Sequence, residues 1–296
     1  MDLSVVICTL DRRESLLRAL ASLAEQEADA RWEVVVVDNG GADGSAEAAA
    51  RADLAVPVRA VVESRRGLSR ARNRGLSEAA GAVCAFADDD MTFRPGWVAA
   101  YAAAFEEAPV GAAGGRIHPV LPPGTPGWFE ELMREEVGGP SARYDLGDEP
   151  AEITAAGPLP TPFGGNMAVR RELALALGGF RVDLGWGERR VPCEEVEFFG
   201  RLLAAGHRVR YCPGAAVDHH VQPEHVTLEY YLRWQEGSGR AGVIMRPPRG
   251  RLDRIGKVGT AARHLVRAWW RARRGSLPAR REAARMRGRL LELLGR

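Results

Sequence analysis

Trp32-Glu33-Val34-Val35-Val36-Val37 is β-branched and, Glu33 apart, apolar throughout. A strand apolar on both faces belongs in a helix-covered parallel sheet. It runs directly into Asp38-Asn39-Gly40-Gly41. A second apolar run, Ala82-Val83-Cys84-Ala85-Phe86-Ala87, follows Gly81 and runs into Asp88-Asp89-Asp90. Parallel sheets place their ligand sites at the carboxyl ends of strands. Three adjoining carboxylates repel one another unless a cation shares them. A hard divalent ion, Mg²⁺ or Mn²⁺, prefers such oxygens and often shares its shell with substrate phosphates. The triplet therefore reads as a cation–diphosphate site or as a solvated acidic turn. Asp38 reads as a contact to a ribose or base, or as part of a plain turn. Two acidic strand ends in one sheet favour the functional reading of both.

The rest of the chain continues the strand–helix alternation. Leu3 to Leu10 forms a first strand, and Asp11 with Glu14 makes a capping-box pattern for a helix to about Glu25. Ser45 is a candidate cap for a short helix, and Val56 to Val62 reads as a third strand. Gly67 leads into a helix to about Ala80; Pro95 stands near the start of another; Ala112 to Ile117 is a strand. The stretch from Pro119 to Pro162 is rich in Pro, Gly and acid and reads as loops and short helices. Glu194-Glu195 opens a helix that ends at Gly206, a strand follows from Arg208 to Cys212, and Leu228 to Gln235 is a last clear helix. The β-α-β-α order argues for a sheet covered on both faces.

With 296 residues, 46% of them hydrophobic, the chain can bury a sizeable core. No run approaches the ~20 apolar residues of a membrane span, and no signal-peptide pattern opens the sequence, so a cytoplasmic location is expected. Cys8, Cys84, Cys193 and Cys212 show no paired spacing and read as free thiols. The net charge of +2 conceals an asymmetry. Residues 246–296 hold 16 basic and 3 acidic residues, a net of +13, while the first 245 hold 25 and 36, a net of −11. Within the basic segment Arg263, Arg267, Arg271 and Arg274 recur at helical spacing, with Leu265, Val266, Trp269 and Trp270 interleaved. That pattern suits an anionic membrane surface at the inner face of a membrane, or docking on the acidic body. It carries no nucleic-acid-binding motif.

Taken in order, the motifs resemble those of family 2 glycosyltransferases. The carrying stretches are Val5 to Arg12, Val36 to Asn39, Gly67 to Gly75, Phe86 to Asp90, Gly164 to Glu172, Cys193 to Glu197 and Pro213 to His220. The resemblance covers about residues 1–225. It implies a GT-A-type, Rossmann-like fold with a mostly parallel sheet, helices on both faces, and here a helical, basic C-terminal extension. Residues 1–118 would form the donor-binding half, 119–225 the acceptor-binding and catalytic half, and 226–296 the extension.

The implied activity is metal-dependent inverting transfer of a sugar from a nucleotide-diphospho-sugar to a hydroxyl of a glycan, a lipid-linked acceptor or a secondary metabolite. The resemblance makes Thr9, Asp11, Asp38, Arg72, Asp88 and Asp89 donor-binding residues. Asp90 becomes the direct ligand of Mg²⁺ or Mn²⁺, together with Asp88 and one of His219 and His220. Glu194-Glu195 stands where the family has Glu-Asp, and Glu195 is the expected base. Gly165, Asn166 and Trp186 fall to the acceptor. Asp11 replaces a commoner Asn and keeps a capping role. Two rival readings are a sugar nucleotidyltransferase and a degenerate nucleotide-binding module. The first requires a Gly-rich phosphate loop after the first strand, which Leu10-Asp11-Arg12-Arg13 does not provide.

Overall fold

The computed structural model describes residues 1–106, 110–135, 139, 142–155, 157, 159–187, 189–273 and 275–295. They form two compact units, Met1–Val182 with Glu194–Pro223, and Asp183–Cys193 with Glu224–Arg296.

The first unit is a mixed nine-stranded sheet with helices. Its amino-terminal elements are β1 (Leu3–Thr9), α1 (Arg13–Ala24), β2 (Trp32–Asp38), α2 (Ser45–Ala50), β3 (Val58–Val62), α3 (Leu68–Glu78) and β4 (Val83–Asp88). Then come β5 (Met91–Phe93), α4 (Trp97–Ala104), β6 (Val110–Val120), α5 (Gly127–Glu135) and β7 (Ala151–Ile153). The unit closes with β8 (Asn166–Arg170), α6 (Arg171–Ala176), α7 (Glu194–Ala204) and β9 (Arg208–His220).

The strand order is β3-β2-β1-β4-β8-β6-β9-β5, with β7 also paired to β9. β1, β2, β3 and β4 are mutually parallel, as is the long β6–β9 ladder, while β8 runs antiparallel between β4 and β6. Every residue of β2 is buried, as its apolar pattern requires. The chain steps outward from β1 to β3 and then back to β4. Right-handed crossovers therefore put α1 and α2 on one face and α3 on the other.

Register decides what gathers at the sheet's edge. Thr9 pairs with Asp38 and Cys8 with Asp88, so three strands end together. Ala87 pairs with Asn166, which brings the Gly164-Gly165 turn to the same edge. Met91 pairs with His219, which brings in the end of β9.

Several local expectations change. Asp11 does not cap α1; the position before the helix is Arg12, without a side-chain cap. Asp11 has a left-handed backbone (φ 53°), and its carboxylate accepts from Ala42 N–H at 2.7 Å. Asp43 instead accepts from the Arg13 N–H at 2.7 Å, satisfying a donor at the helix start from a different loop. The same Asp43 accepts from Ser45 N–H and Oγ, so Ser45 opens α2 rather than capping it. The three-residue strands β5 and β7 are too short to show periodicity. β9 runs through Pro213-Gly214, where its ladder with β6 shifts register.

The second unit is built on α8 (Leu228–Met245), α9 (Arg251–Ala272) and α10 (Leu277–Leu293), with α10 packed on both others. α8 extends well past Gln235 because its glycines are contact points. A Cβ on Gly239 would lie 2.0 Å from the Arg285 carbonyl oxygen, and one on Gly288 1.9 Å from that of Glu236. The basic segment thus supplies α9 and α10, two of the three long helices of this unit. Arg274 of the arginine series lies outside the described residues.

Gly75 tests the packing of α3 on the sheet. A Cβ there would stand 2.2 Å from Val6 Cγ1, and Val6 is fully buried. Gly-to-Ala in a helix ordinarily gains up to ~1 kcal/mol, whereas overpacking a tight core costs ~1–3 kcal/mol. The clash should win. Gly75→Ala is expected to lower the thermal midpoint, measured by calorimetry, despite its better helix propensity.

Candidate active site

The site is assembled from the strand ends that the register aligns. Asp38 is buried and accepts from the Gly41 N–H at 2.7 Å. The neighbouring Asn39 donates to the carbonyls of Glu63 and Arg65 and accepts from Gly67 N–H. The loops after β2 and β3 are thereby tied to the start of α3.

The Asp triplet divides by environment. The Asp88 side chain retains 38% of its exposure, while those of Asp89 and Asp90 keep 5% each. Thr9 Oγ1 donates to Asp89 at 2.7 Å. Arg12 reaches both buried carboxylates, Asp89 at 3.2 Å and Asp90 at 2.8 Å. Burial pushes Asp89 up to about 7 against the pull of Arg12, with Asp90 adding to the rise. In the sequence Arg12 is marked by position alone, just past the end of β1.

The histidines separate because β9 alternates. His219 is buried, with Nε2 3.6 Å from Asp90 Oδ1. His220 turns the other way and shares a 3.0 Å hydrogen bond with Thr92 Oγ1. Asp90 thus has one oxygen toward Arg12 and the other toward His219.

Arg72 joins the triplet to the glutamate pair. It is buried on α3, lies 3.3 Å from Asp88, and pairs with Glu194. Its guanidinium also sits 5.8 Å from the centre of the Phe180 ring. Gly164 must be glycine for this approach, since a Cβ would stand 2.7 Å from the guanidinium nitrogens. Gly165 is equally constrained, because its Cβ would meet Asp88 Oδ2 and the Met91 methyl at 2.5 Å. Glycine at 165 thus makes room for Asp88.

Glu194 and Glu195 open α7 just after Cys193, whose left-handed backbone (φ 80°) turns the chain sharply. Glu194 is buried against Arg72. Glu195 is half-buried, and among the described residues no side chain hydrogen-bonds it. Burial and the adjacent Glu194 push it up to about 8, with Arg72 opposing. The helix start favours the ionised form without cancelling that rise.

Two residues expected at the acceptor have other partners within their own units. Asn166 is fully buried and its side chain is fully used. It donates to the carbonyls of Arg116 and Ala215 and accepts from Trp97 Nε1 and Tyr101 OH. With both donor hydrogens and both lone pairs committed, nothing is left for a sugar. Asn166 ties β8 to its neighbours. Trp186 belongs to the second unit, where its ring stacks on Tyr230 at 6.1 Å between centroids.

The donor set fits a divalent cation shared with substrate. Asp90 Oδ1 and His219 Nε2 are close enough for one ion with bonds of about 2.1 Å to reach both. Asp88 adds an accessible carboxylate. No three His, Cys, Asp or Glu side chains among the described residues form a closed cage. An ion that keeps waters and takes substrate phosphates needs none.

The description "Glycosyl transferase family 2" matches residues 4–178. A glucosyl-dolichyl phosphate glucuronosyltransferase of Haloferax volcanii is 27% identical over 83% of this chain and 79% of its own. A pre-mycofactocin glycosyltransferase of Mycobacterium tuberculosis is 27% identical over 74% of this chain but only 42% of its own. Among solved structures, a Pyrobaculum calidifontis mannosyltransferase with GDP-Man and Mn²⁺ superposes with a TM-score of 0.60. It is 19% identical, over 99% of this chain and 87% of that one. S. aureus TarS 1–349 with UDP-GlcNAc gives 0.61 at 19% identity, over 83% and 66%. These likenesses carry the GT-A fold. With the family match spanning more than half of its length, the chain belongs to glycosyl transferase family 2 and is a glycosyltransferase.

Proposed function

We propose that this enzyme moves a sugar from a nucleotide-diphospho-sugar to a hydroxyl of a lipid-linked glycan, with inversion and with Mg²⁺ or Mn²⁺. The observation that carries the reading is the Arg72 bridge, which links the Asp triplet to the glutamate pair at the open end of the sheet. The solved relatives with GDP-Man and Mn²⁺ and with UDP-GlcNAc support the donor class. The relative named for glucosyl-dolichyl phosphate supports the lipid-linked acceptor.

In this reading Asp38 contacts the ribose or base, and Thr9 fixes Asp89 behind the diphosphate. Asp90, Asp88 and His219 hold the cation, and His220 does not. When bound, the cation offsets the charge that grows on the leaving diphosphate. Glu195 takes the acceptor proton as the hydroxyl oxygen bonds to the anomeric carbon. The bond from that carbon to the diphosphate oxygen breaks in the same displacement, and its electron pair leaves with the nucleoside diphosphate. Glu194 holds Arg72 in place and stays out of the proton transfer.

Asp90→Asn should weaken nucleoside-diphosphate binding strongly in Mn²⁺ and little in chelator, read by calorimetric titration. Equal loss in both conditions would remove the cation role. His219→Ala should share the Asp90→Asn pattern, and His220→Ala should not.

Glu195→Gln should leave donor binding intact and cut transfer by ~10²–10⁴-fold. Because the base must be ionised, kcat/KM of the native enzyme should climb as pH rises toward about 8. A Glu held more tightly protonated in the folded state than its ordinary value of 4.5 contributes stability below that value and loses it as pH rises through about 8. The thermal midpoint of Glu195→Gln should therefore gain on that of the native enzyme across this interval. A constant gap would mean that Glu195 titrates normally.

We also read α9 as a membrane-surface helix. Leu252, Ile255, Val266, Trp269 and Trp270 are exposed and share one face, while Ala261 and Ala268 are buried on the other. No helix among the described residues is long and apolar enough to cross a membrane. Basic residues near an anionic leaflet gain ~1 kcal/mol each, which salt screens, whereas tryptophan burial is insensitive to salt. Cutting the chain after Met245 would strip α10 from α8, so point changes make the better test. Trp269→Ser with Trp270→Ser should abolish the part of anionic-vesicle co-sedimentation that survives high salt. Unchanged co-sedimentation would show that α9 does not enter the interface.

A further inference from the structure

The second unit contains an open cavity of about 770 Å³, lined by Arg189, Arg190, Arg233, Arg240 and Arg287 against Glu236 and Glu292. Five guanidinium groups face two carboxylates, and no lysine contributes. This volume lies in the range of small-molecule sites. A set of planar forks, rather than ammonium groups, suits the paired oxygens of a phosphate.

The carboxylates do not cancel the charge; they orient it. Glu292 pairs with Arg189 at 2.6 Å and Arg240 at 3.5 Å, and Glu236 pairs with Arg287 at 2.8 Å and Arg240 at 3.8 Å. Three arginines are thereby fixed on the walls. Among the described residues Arg233 forms an ion pair with Glu229 alone, one turn back on its own helix, at 3.2 Å. Arg190 makes no ion pair among the described residues.

The backbone around Arg190 is held in an uncommon state. Its φ of 47° lies in the left-handed region, which non-glycine residues seldom adopt. Gly185 pairs with Val191 across this loop, and Arg190 N–H donates to the Gly187 carbonyl at 3.1 Å. Leu184 and Val191 are pinned in a small apolar cluster with Ala241, Ile244 and Met245 of α8. Gly237 permits the seating, since a Cβ there would lie 2.5 Å from the Arg190 carbonyl oxygen. The opposite wall is set by the close α8–α10 crossing at Gly239 and Gly288. Rigid packing thus brings like charges from a loop and two helices to one cavity, an arrangement that costs free energy unless an anion shares them.

We infer that this cavity binds a phosphate-bearing ligand, a phosphomonoester or diphosphate, through Arg190 and Arg233 with Arg189, Arg240 and Arg287 around it. The inference uses residues of the second unit alone and stands whether or not the donor-site reading holds.

The test is calorimetric titration of the full chain with inorganic pyrophosphate in chelator. The comparison is Arg190→Asn with Arg233→Gln, two changes that suit a left-handed backbone and an exposed helix position. The native protein should bind saturably, and the double variant should bind at least about tenfold more weakly with an unchanged thermal midpoint. No saturable binding to the native protein, or an affinity in the variant within about twofold of native, would overturn the inference. Vesicles of phosphatidate and of phosphatidylserine at matched surface charge identify the source. A phosphatidate preference that the double variant loses assigns the phosphate to a lipid headgroup. Pyrophosphate binding without that preference assigns it to a soluble ligand.

Discussion

One buried guanidinium holds this site together. Arg72 comes from α3, Asp88 from the end of β4 and Glu194 from the start of α7, and the arginine touches both carboxylates. Its side chain is 3% exposed. Removing one partner of such a buried pair typically costs 3–5 kcal/mol, because the other is left charged without compensation. The surroundings are shaped to this group. Gly164 yields space to it, and Phe180 lies beneath it. Asn73, one residue along α3, exchanges two hydrogen bonds with the Phe180 backbone at 2.8 Å each. Phe180 in turn packs on Phe86 of β4 and Phe198 of α7, so the elements that carry the charges also share an aromatic core.

That arrangement separates two chemically identical neighbours. Glu194 is spent on Arg72, while Glu195 is left half-buried beside a carboxylate and rises to about 8. Divergent environments for adjacent acids are how a site assigns different tasks to the same group. A glutamate at 195 reaches one methylene further than an aspartate would. The same logic divides the triplet. Asp88 is accessible, Asp89 is locked by Thr9 and Arg12, and Asp90 lies between Arg12 and His219.

Much of this was legible in the sequence, and the rest was hidden for identifiable reasons. Strand ends are set by short-range pattern, so Asp38 and Asp88 could be placed at β-strand termini without coordinates. The parallel register that brings them together follows from the fold class. The choice between His219 and His220 depends on which way β9 alternates, and a slip of one residue exchanges them. Asp11 matched a capping pattern, yet the donor at the start of α1 is satisfied by Asp43 from another loop. Asn166 matched a functional motif because its stretch carries one, but its own role is to hold four groups from three segments. Arg12 and Arg72 illustrate the commonest blind spot, since a surface-looking arginine reveals its partner only when distant segments meet.

The basic carboxy-terminal region shows how composition and arrangement part company. A net of +13 is plain in residues 246–296. Trp269, Trp270 and Ile255 are among the largest apolar residues of α9. The helix instead buries Ala261 and Ala268 and leaves the large side chains outside. Small residues permit close approach between helices, as Gly239 and Gly288 do where α8 meets α10. Close contacts of that kind leave little room for indole rings between helices. Of the five arginines in the cavity, Arg287 of α10 alone belongs to this basic stretch; Arg189 and Arg190 come from the Gly185–Val191 loop, and Arg233 and Arg240 from α8. Arginines from three separate segments thus meet at one cavity, which packing reveals and the composition of no single stretch does.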